Sequence, residues 1–149
     1  MPVFPSVEWF NAVREIINRD QNYRHFGTCD ADIGVEVGDH VFRITFEGFE
    51  VTNVEEISRD LEDELDFTLV MPYEGWKEMI QNIKQHGRAD LDHTLNTLDL
   101  AEQEFARSRD YYLRDKFYRF NQSFQNFFDA SAKIDTQFAD EKAGASSSG

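Results

Sequence analysis

The chain has 149 residues, 40% of them hydrophobic, enough for one sizeable core and too few for two independent domains. Its 15 basic and 29 acidic side chains give a formal charge of -14, a balance that repels phosphate backbones and anionic headgroups and argues against nucleic acid or stable membrane insertion. The single cysteine, Cys29, has no partner for an internal disulfide. With no run of about 18 apolar residues and no basic-then-apolar N-terminus, the expectation is a cytoplasmic protein.

Pro5 and Ser6 precede Val7, Trp9, Phe10, Val13, Ile16 and Ile17. That helical spacing, with Glu8 in the first turn and Ser6 placed to cap, predicts a helix from about residue 6 to 19. The period then changes to two. Ala31, Ile33, Val35 and Val37 alternate with Asp32, Gly34 and Glu36, Gly38 and Asp39 supply a turn, and Val41 to Glu47 returns, so a β-hairpin is expected. In its second arm Phe42, Ile44 and Phe46 share one face, while Arg43, Thr45 and Glu47 share the other. One side of the sheet should therefore be covered and the other wet. After Gly48 a third strand places Phe49, Val51 and Asn53 opposite Glu50, Thr52 and Val54.

The acidic segment from Glu55 to Glu64 reads as a solvated loop or a short helical turn, and without a glycine it lacks the pattern of a calcium loop. Leu65 to Met71 is the next expected strand, with Phe67, Leu69 and Met71 on one face and Pro72 closing it. Trp76, Met79, Ile80 and Ile83 follow at i, i+3, i+4 and i+7 in a helix over Tyr73 to His86 that Gly87 stops. Arg88 to Asp92 is either a fifth strand or a turn. Helix then resumes, over residues 98–138, in a long amphipathic element. Its seam of Leu113, Phe117, Phe120, Phe124, Phe127, Ser131, Ile134 and Phe138 alternates steps of four and three. The part from Leu113 to Phe138 alone would run about 39 Å. Residues 1–140 then form one domain and 141–149 a disordered, linker-like tail.

The chemistry of common enzymes is not legible. The eight glycines make no phosphate-binding loop, and His25, His40, His86 and His93 follow no metal-ligand spacing, so neither cofactor nor metal is expected. Asp66, Tyr73, Tyr111 and Tyr112 are available for proton transfer beside an apolar cavity, yet nothing in their spacing selects them. What the chain does supply is aromatic surface, 14% Phe, Tyr and Trp.

The order helix, β-hairpin, further strand, strand, helix, with Trp9, the run Ile17-Asn18-Arg19-Asp20, the arm Phe42-Arg43-Ile44-Thr45-Phe46 ending at Glu47-Gly48, and Asp66-Phe67-Thr68-Leu69-Val70-Met71-Pro72 leading into Trp76 and Ile80, resembles the sterol-carrier-protein type lipid-binding domain over residues 6–86. The resemblance implies an α+β fold, a mostly antiparallel sheet of four or five strands with helices on its apolar face. It also implies a hydrophobic tunnel that carries a sterol, fatty acid or other lipid without catalysis. Carried over by position, the ligand-facing residues are Phe42, Ile44, Phe46, Phe67, Leu69, Trp76, Met79, Ile80 and Ile83. The long C-terminal helix lies outside the resemblance. Phe117, Phe120 and Phe124 are expected to add a wall or lid, and Phe127, Phe128, Ile134 and Phe138 to be covered by a second copy in a homodimer. The alternatives are a dimerising interaction protein whose tunnel is filled by side chains, and an enzyme on a hydrophobic substrate.

Overall fold

A computed structural model describes residues 2–20, 28–89, 106–108 and 111–140. The short strand β1 (Val3–Phe4) leads into helix α1 (Val7–Arg19), in whose first turn the Trp9 N–H donates to the capping Ser6 Oγ at 3.1 Å. Then come β2 (Ala31–Val37), β3 (His40–Glu47), β4 (Glu50–Ile57), a 3-10 helix (Arg59–Glu64), β5 (Phe67–Met71) and α2 (Tyr73–His86). After residues that are not described follow β6 (Ala106–Arg107), α3 (Tyr111–Arg119), α4 (Asn121–Asp129), a second 3-10 helix (Ala130–Lys133) and β7 (Gln137–Phe138).

Five strands form one sheet in the order β4-β3-β2-β5-β6, antiparallel throughout except for the parallel β2–β5 pair. The expected α+β class, with a mostly antiparallel sheet and helices on one face, is what the chain adopts. Gly38 (φ 58°) and Gly48 (φ 61°) turn the two hairpins, in a left-handed region that other residues enter at a cost. Register fixes the faces. Ala31, Ile33 and Val35 stand opposite Phe46, Ile44 and Phe42, and Ile33, Val35 and Val37 opposite Phe67, Leu69 and Met71, so these side chains point the same way.

The third strand departs from simple alternation. A bulge at Thr45/Phe46 shifts the β3–β4 register, so Val51 and Val54, three residues apart, are both buried while Phe49 lies in the turn and is exposed. Helix α1 meets this irregular strand with side chains. Asn18 exchanges two hydrogen bonds with the Val51 backbone at 2.8 and 3.0 Å, and Arg14 donates to the Val51 and Thr52 carbonyls. Backbone groups that the bulge takes out of the ladder are thereby satisfied.

Of the two readings left open for 88–92, a fifth strand or a turn, the described part is a bend at Gly87 and Arg88, and residues 90–92 lie outside the described set; the strand beside β5 comes from Ala106–Arg107. The expected long helix is not continuous, and its expected first turns, 98–105, also fall outside the described residues. Helix breaks at Phe120 (φ -111°, ψ 19°) and ends at Lys133, after which Ile134 is extended and β7 pairs in parallel with β1, Val3 opposite Gln137 and Phe4 opposite Phe138. Pairing with the N-terminus wins over the apolar period here, helped by β-branched Ile134 and Thr136 and by the 2.9 Å bond from Trp9 Nε1–H to Thr136 Oγ1. Among the described residues, no helix is long and apolar enough to cross a membrane.

Candidate functional site: an aromatic layer and a charged outer face

The inner face of the sheet and the helices over it form one apolar layer. Phe42, Ile44, Phe46, Phe67 and Leu69 rise from the strands, and Trp76, Met79, Ile80 and Ile83 descend from α2; all nine are buried in a single cluster. The expected ligand-facing residues are thus brought together. Phe117 and Phe124 join them from α3 and α4, with no exposure at all. Phe124 meets Phe46 and Phe67 with ring centroids 5.2 and 5.4 Å apart, near-perpendicular in both pairs, and Phe117 meets Phe67 at 5.9 Å. These edge-to-face contacts are the favoured aromatic geometry. Phe120, at the joint of α3 and α4, is only partly buried and carries Arg119 over its ring at 5.9 Å. Phe117 and Phe124 are therefore interior side chains and Phe120 a boundary one.

The residues expected to need a second chain do not need one. Phe127 and Phe128 are 1% exposed and Phe138 6%, while Ile134 is partly buried against the same core. Phe127 stacks on Phe10 of α1, Phe128 on Trp76 of α2, and Phe138 meets Phe4. Because the helix stops at Lys133 and the chain folds back to β1, the distal apolar side chains reach the core of their own chain. The premise for a homodimer through Phe127, Phe128, Ile134 and Phe138 fails on this geometry.

The polar candidates are dispersed. Asp66 accepts from the Asp32 backbone N–H at 2.9 Å and from Lys116 Nζ at 3.0 Å, tying β2, β5 and α3 together. Tyr73 Oη donates instead to Asp140 Oδ1 at 2.7 Å, beside Lys77. Burial and the Asp140 carboxylate push its pKa up to about 12. The side chains of Tyr111 and Tyr112 lie outside the described set. Cys29 is 2% exposed and burial pushes its thiol up to about 12, which keeps it protonated and inert at neutral pH. Among the described residues, no three His, Cys, Asp or Glu side chains gather as a metal-ligand set.

The outer face carries a second organised region that sequence reasoning missed. Asp32 accepts from Arg43 Nε at 2.9 Å and from Thr45 Oγ1 at 3.0 Å, and Arg43 also reaches Glu55. Toward the other edge, Arg107 Nη2 of β6 donates to Glu36 of β2 at 3.1 Å and to Glu62 of the first 3-10 helix. Burial pushes the Glu62 carboxyl above its ordinary range, Arg107 opposes the shift and Glu36 adds to it. A cleft of about 180 Å³ opens beside this cluster, lined by Glu62, Asp63, Leu65, Phe67, Thr68, Arg107 and Ser108. Glu36, Glu62 and Arg107 lie far apart in the sequence, and no spacing rule links them.

No protein-family model, curated protein or solved structure matches this chain.

Proposed function

We propose that the protein binds and carries a hydrophobic small molecule, of the class of sterols, fatty acids and other lipids, in the layer between the sheet and its helices, without chemistry of its own. The observation that carries this reading is the convergence of the two sets of apolar side chains. Phe42, Ile44, Phe46, Phe67 and Leu69 from strands, and Trp76, Met79, Ile80 and Ile83 from a helix, face one another across one aromatic layer, the arrangement that the resemblance to sterol-carrier-protein type domains implies. Helix α4 closes the layer through Phe124, and its joint with α3 at Phe120 divides that cover into two short pieces. An apolar guest enters by parting these rings, exchanging ring–ring contacts for ring–guest contacts.

A second reading has an observation of its own. The rings meet one another directly, Phe10 and Phe42 at 4.7 Å and Phe46 and Phe124 at 5.2 Å, as in a core filled by its own side chains. On that reading the acidic domain is an interaction protein. Native mass spectrometry of gently purified protein, followed by organic extraction, separates the two. A stoichiometric lipid supports the carrier; bare protein that also shows no saturable uptake of a fluorescent fatty acid leaves the interaction protein.

A further inference from the structure

The outer-face cluster poses a chemical problem. One nitrogen, Arg107 Nη2, donates both to Glu36 Oε1 at 3.1 Å and to Glu62 Oε2, so the two carboxyl groups are drawn onto the same point. Sharing that nitrogen places the Glu36 and Glu62 carboxyl groups side by side. Each side chain is 12% exposed. Glu62 Oε1, the oxygen that Arg107 leaves free, is buried and has no donor. Two carboxylates offer only acceptors to each other, and a buried acceptor without a donor is destabilising.

We propose that Glu36 and Glu62 hold one proton between them, donated from Glu62 Oε1 to the Glu36 carboxylate, and that this bond together with Arg107 latches the first 3-10 helix and β6 onto the outer face of the sheet. The proton removes the like-charge repulsion, supplies the missing donor and leaves one anion to balance one guanidinium. Close carboxyl pairs behave in this way because both cannot ionise at such separations. The other charged groups near the pair among the described residues are Arg59, Asp63 and Asp66. Arg59, on the same 3-10 helix, approaches Glu36 Oε1 at 3.8 Å but is half exposed and also engages the Gly38 carbonyl and Asp39. Asp63 lines the adjoining cleft, and Asp66 is neutralised by Lys116.

The latch has a defined consequence. Among the described residues, Ala106 and Arg107 pair β6 with β5 and Ser108 Oγ donates to the Asp66 carbonyl at 2.7 Å; so short a ladder gains from side-chain ties, and the Arg107 contacts add to them. The group gains its proton on folding, so it stabilises the closed edge at low pH. That stabilisation is lost as pH rises from the unfolded value, about 4.3, to the Glu62 midpoint, and is constant above it. The inference holds whether or not the aromatic layer carries a ligand.

Carbon-13 NMR titration of the glutamate side-chain carboxyls in the full chain tests this, with amide hydrogen exchange at Arg107 and Ser108 as the second readout. The expected result is a Glu62 midpoint well above 4.3, and exchange protection, corrected for intrinsic base catalysis, that falls by up to tenfold per pH unit below that midpoint. Glu62→Gln supplies an amide donor in place of the proton and should keep the edge protected while flattening this pH dependence. Glu36→Gln removes the neighbouring charge but not the burial, and should lower the Glu62 midpoint from its wild-type value, a readout that requires only that the variant fold. A wild-type Glu62 midpoint at or below 4.3, or a pH profile that Glu62→Gln leaves unchanged, overturns the proposal.

Discussion

The two faces of the one sheet are held by opposite means. Inside, Phe42, Ile44, Phe46, Phe67 and Leu69 meet helices through non-directional apolar contact, and each is 2% exposed or less. Outside, Asp32, Arg43 and Thr45 in one group, and Glu36 and Arg107 in another, are joined through directional bonds between groups that range from buried to partly exposed. The inner face gains stability in proportion to area removed from water. The outer face gains little per bond but fixes which strand lies beside which, since its pairs span β2, β3, β6 and the first 3-10 helix.

Breaking the inner face should cost most. Phe124→Ala removes a fully buried ring that bridges Phe46 and Phe67, and urea denaturation should show a loss of about 3 to 5 kcal/mol. Next comes the layer boundary at Gly34. A Cβ there would stand 2.8 Å from Leu65 Cδ1 and 2.9 Å from Thr68 Oγ1, so Gly34→Ala should cost about 1 to 3 kcal/mol by overpacking. A loss under about 0.5 kcal/mol would mean that the Leu65 side chain moves aside freely. Asp32→Ala, on the outer face, should cost only about 1 kcal/mol, because Arg43 is 37% exposed and water screens the pair. Unlike the first two losses, this one should shrink in high salt. The smallest effect is at Tyr73. Since its ionisation is pushed up to about 12 by burial and Asp140, the neutral phenol stabilises the fold below pH 10, and that contribution fades between about 10 and 12. Ultraviolet titration should show a late tyrosine ionisation that Tyr73→Phe removes.

The same contrast explains what could be read in advance. The inner face was legible because burial writes itself into the sequence as a period. Alternation at Phe42, Ile44 and Phe46 and the helical spacing of Trp76, Met79, Ile80 and Ile83 placed every one of these residues inward. Local end signals were legible too, in Ser6 capping α1 and in Gly87 (φ 83°) ending α2. Periodicity misled where tertiary pairing overrides it. The spacing from Phe124 to Phe138 suits a helix, yet the last residues run extended beside β1. Two-residue β6 has no period to detect, and the β4 bulge moves Val54 inward against its alternation. The outer-face cluster was invisible for a different reason. Acidic and basic residues look alike wherever they fall, and only the fold brings Glu36, Glu62 and Arg107 onto one nitrogen.

The carrier reading rests on the inner face admitting a guest, and methyl NMR reports on that face directly. Ile44, Met79, Ile80 and Ile83 lie within the aromatic layer, while Ile57 pairs opposite Val41 on the outer side of the sheet. On titration with a long-chain fatty acid below its micellar concentration, the account predicts saturable one-to-one shifts of the four inner methyl-bearing residues with Ile57 unmoved. Inner methyls that stay fixed while the fatty acid perturbs only surface signals, or perturbs none, would contradict it.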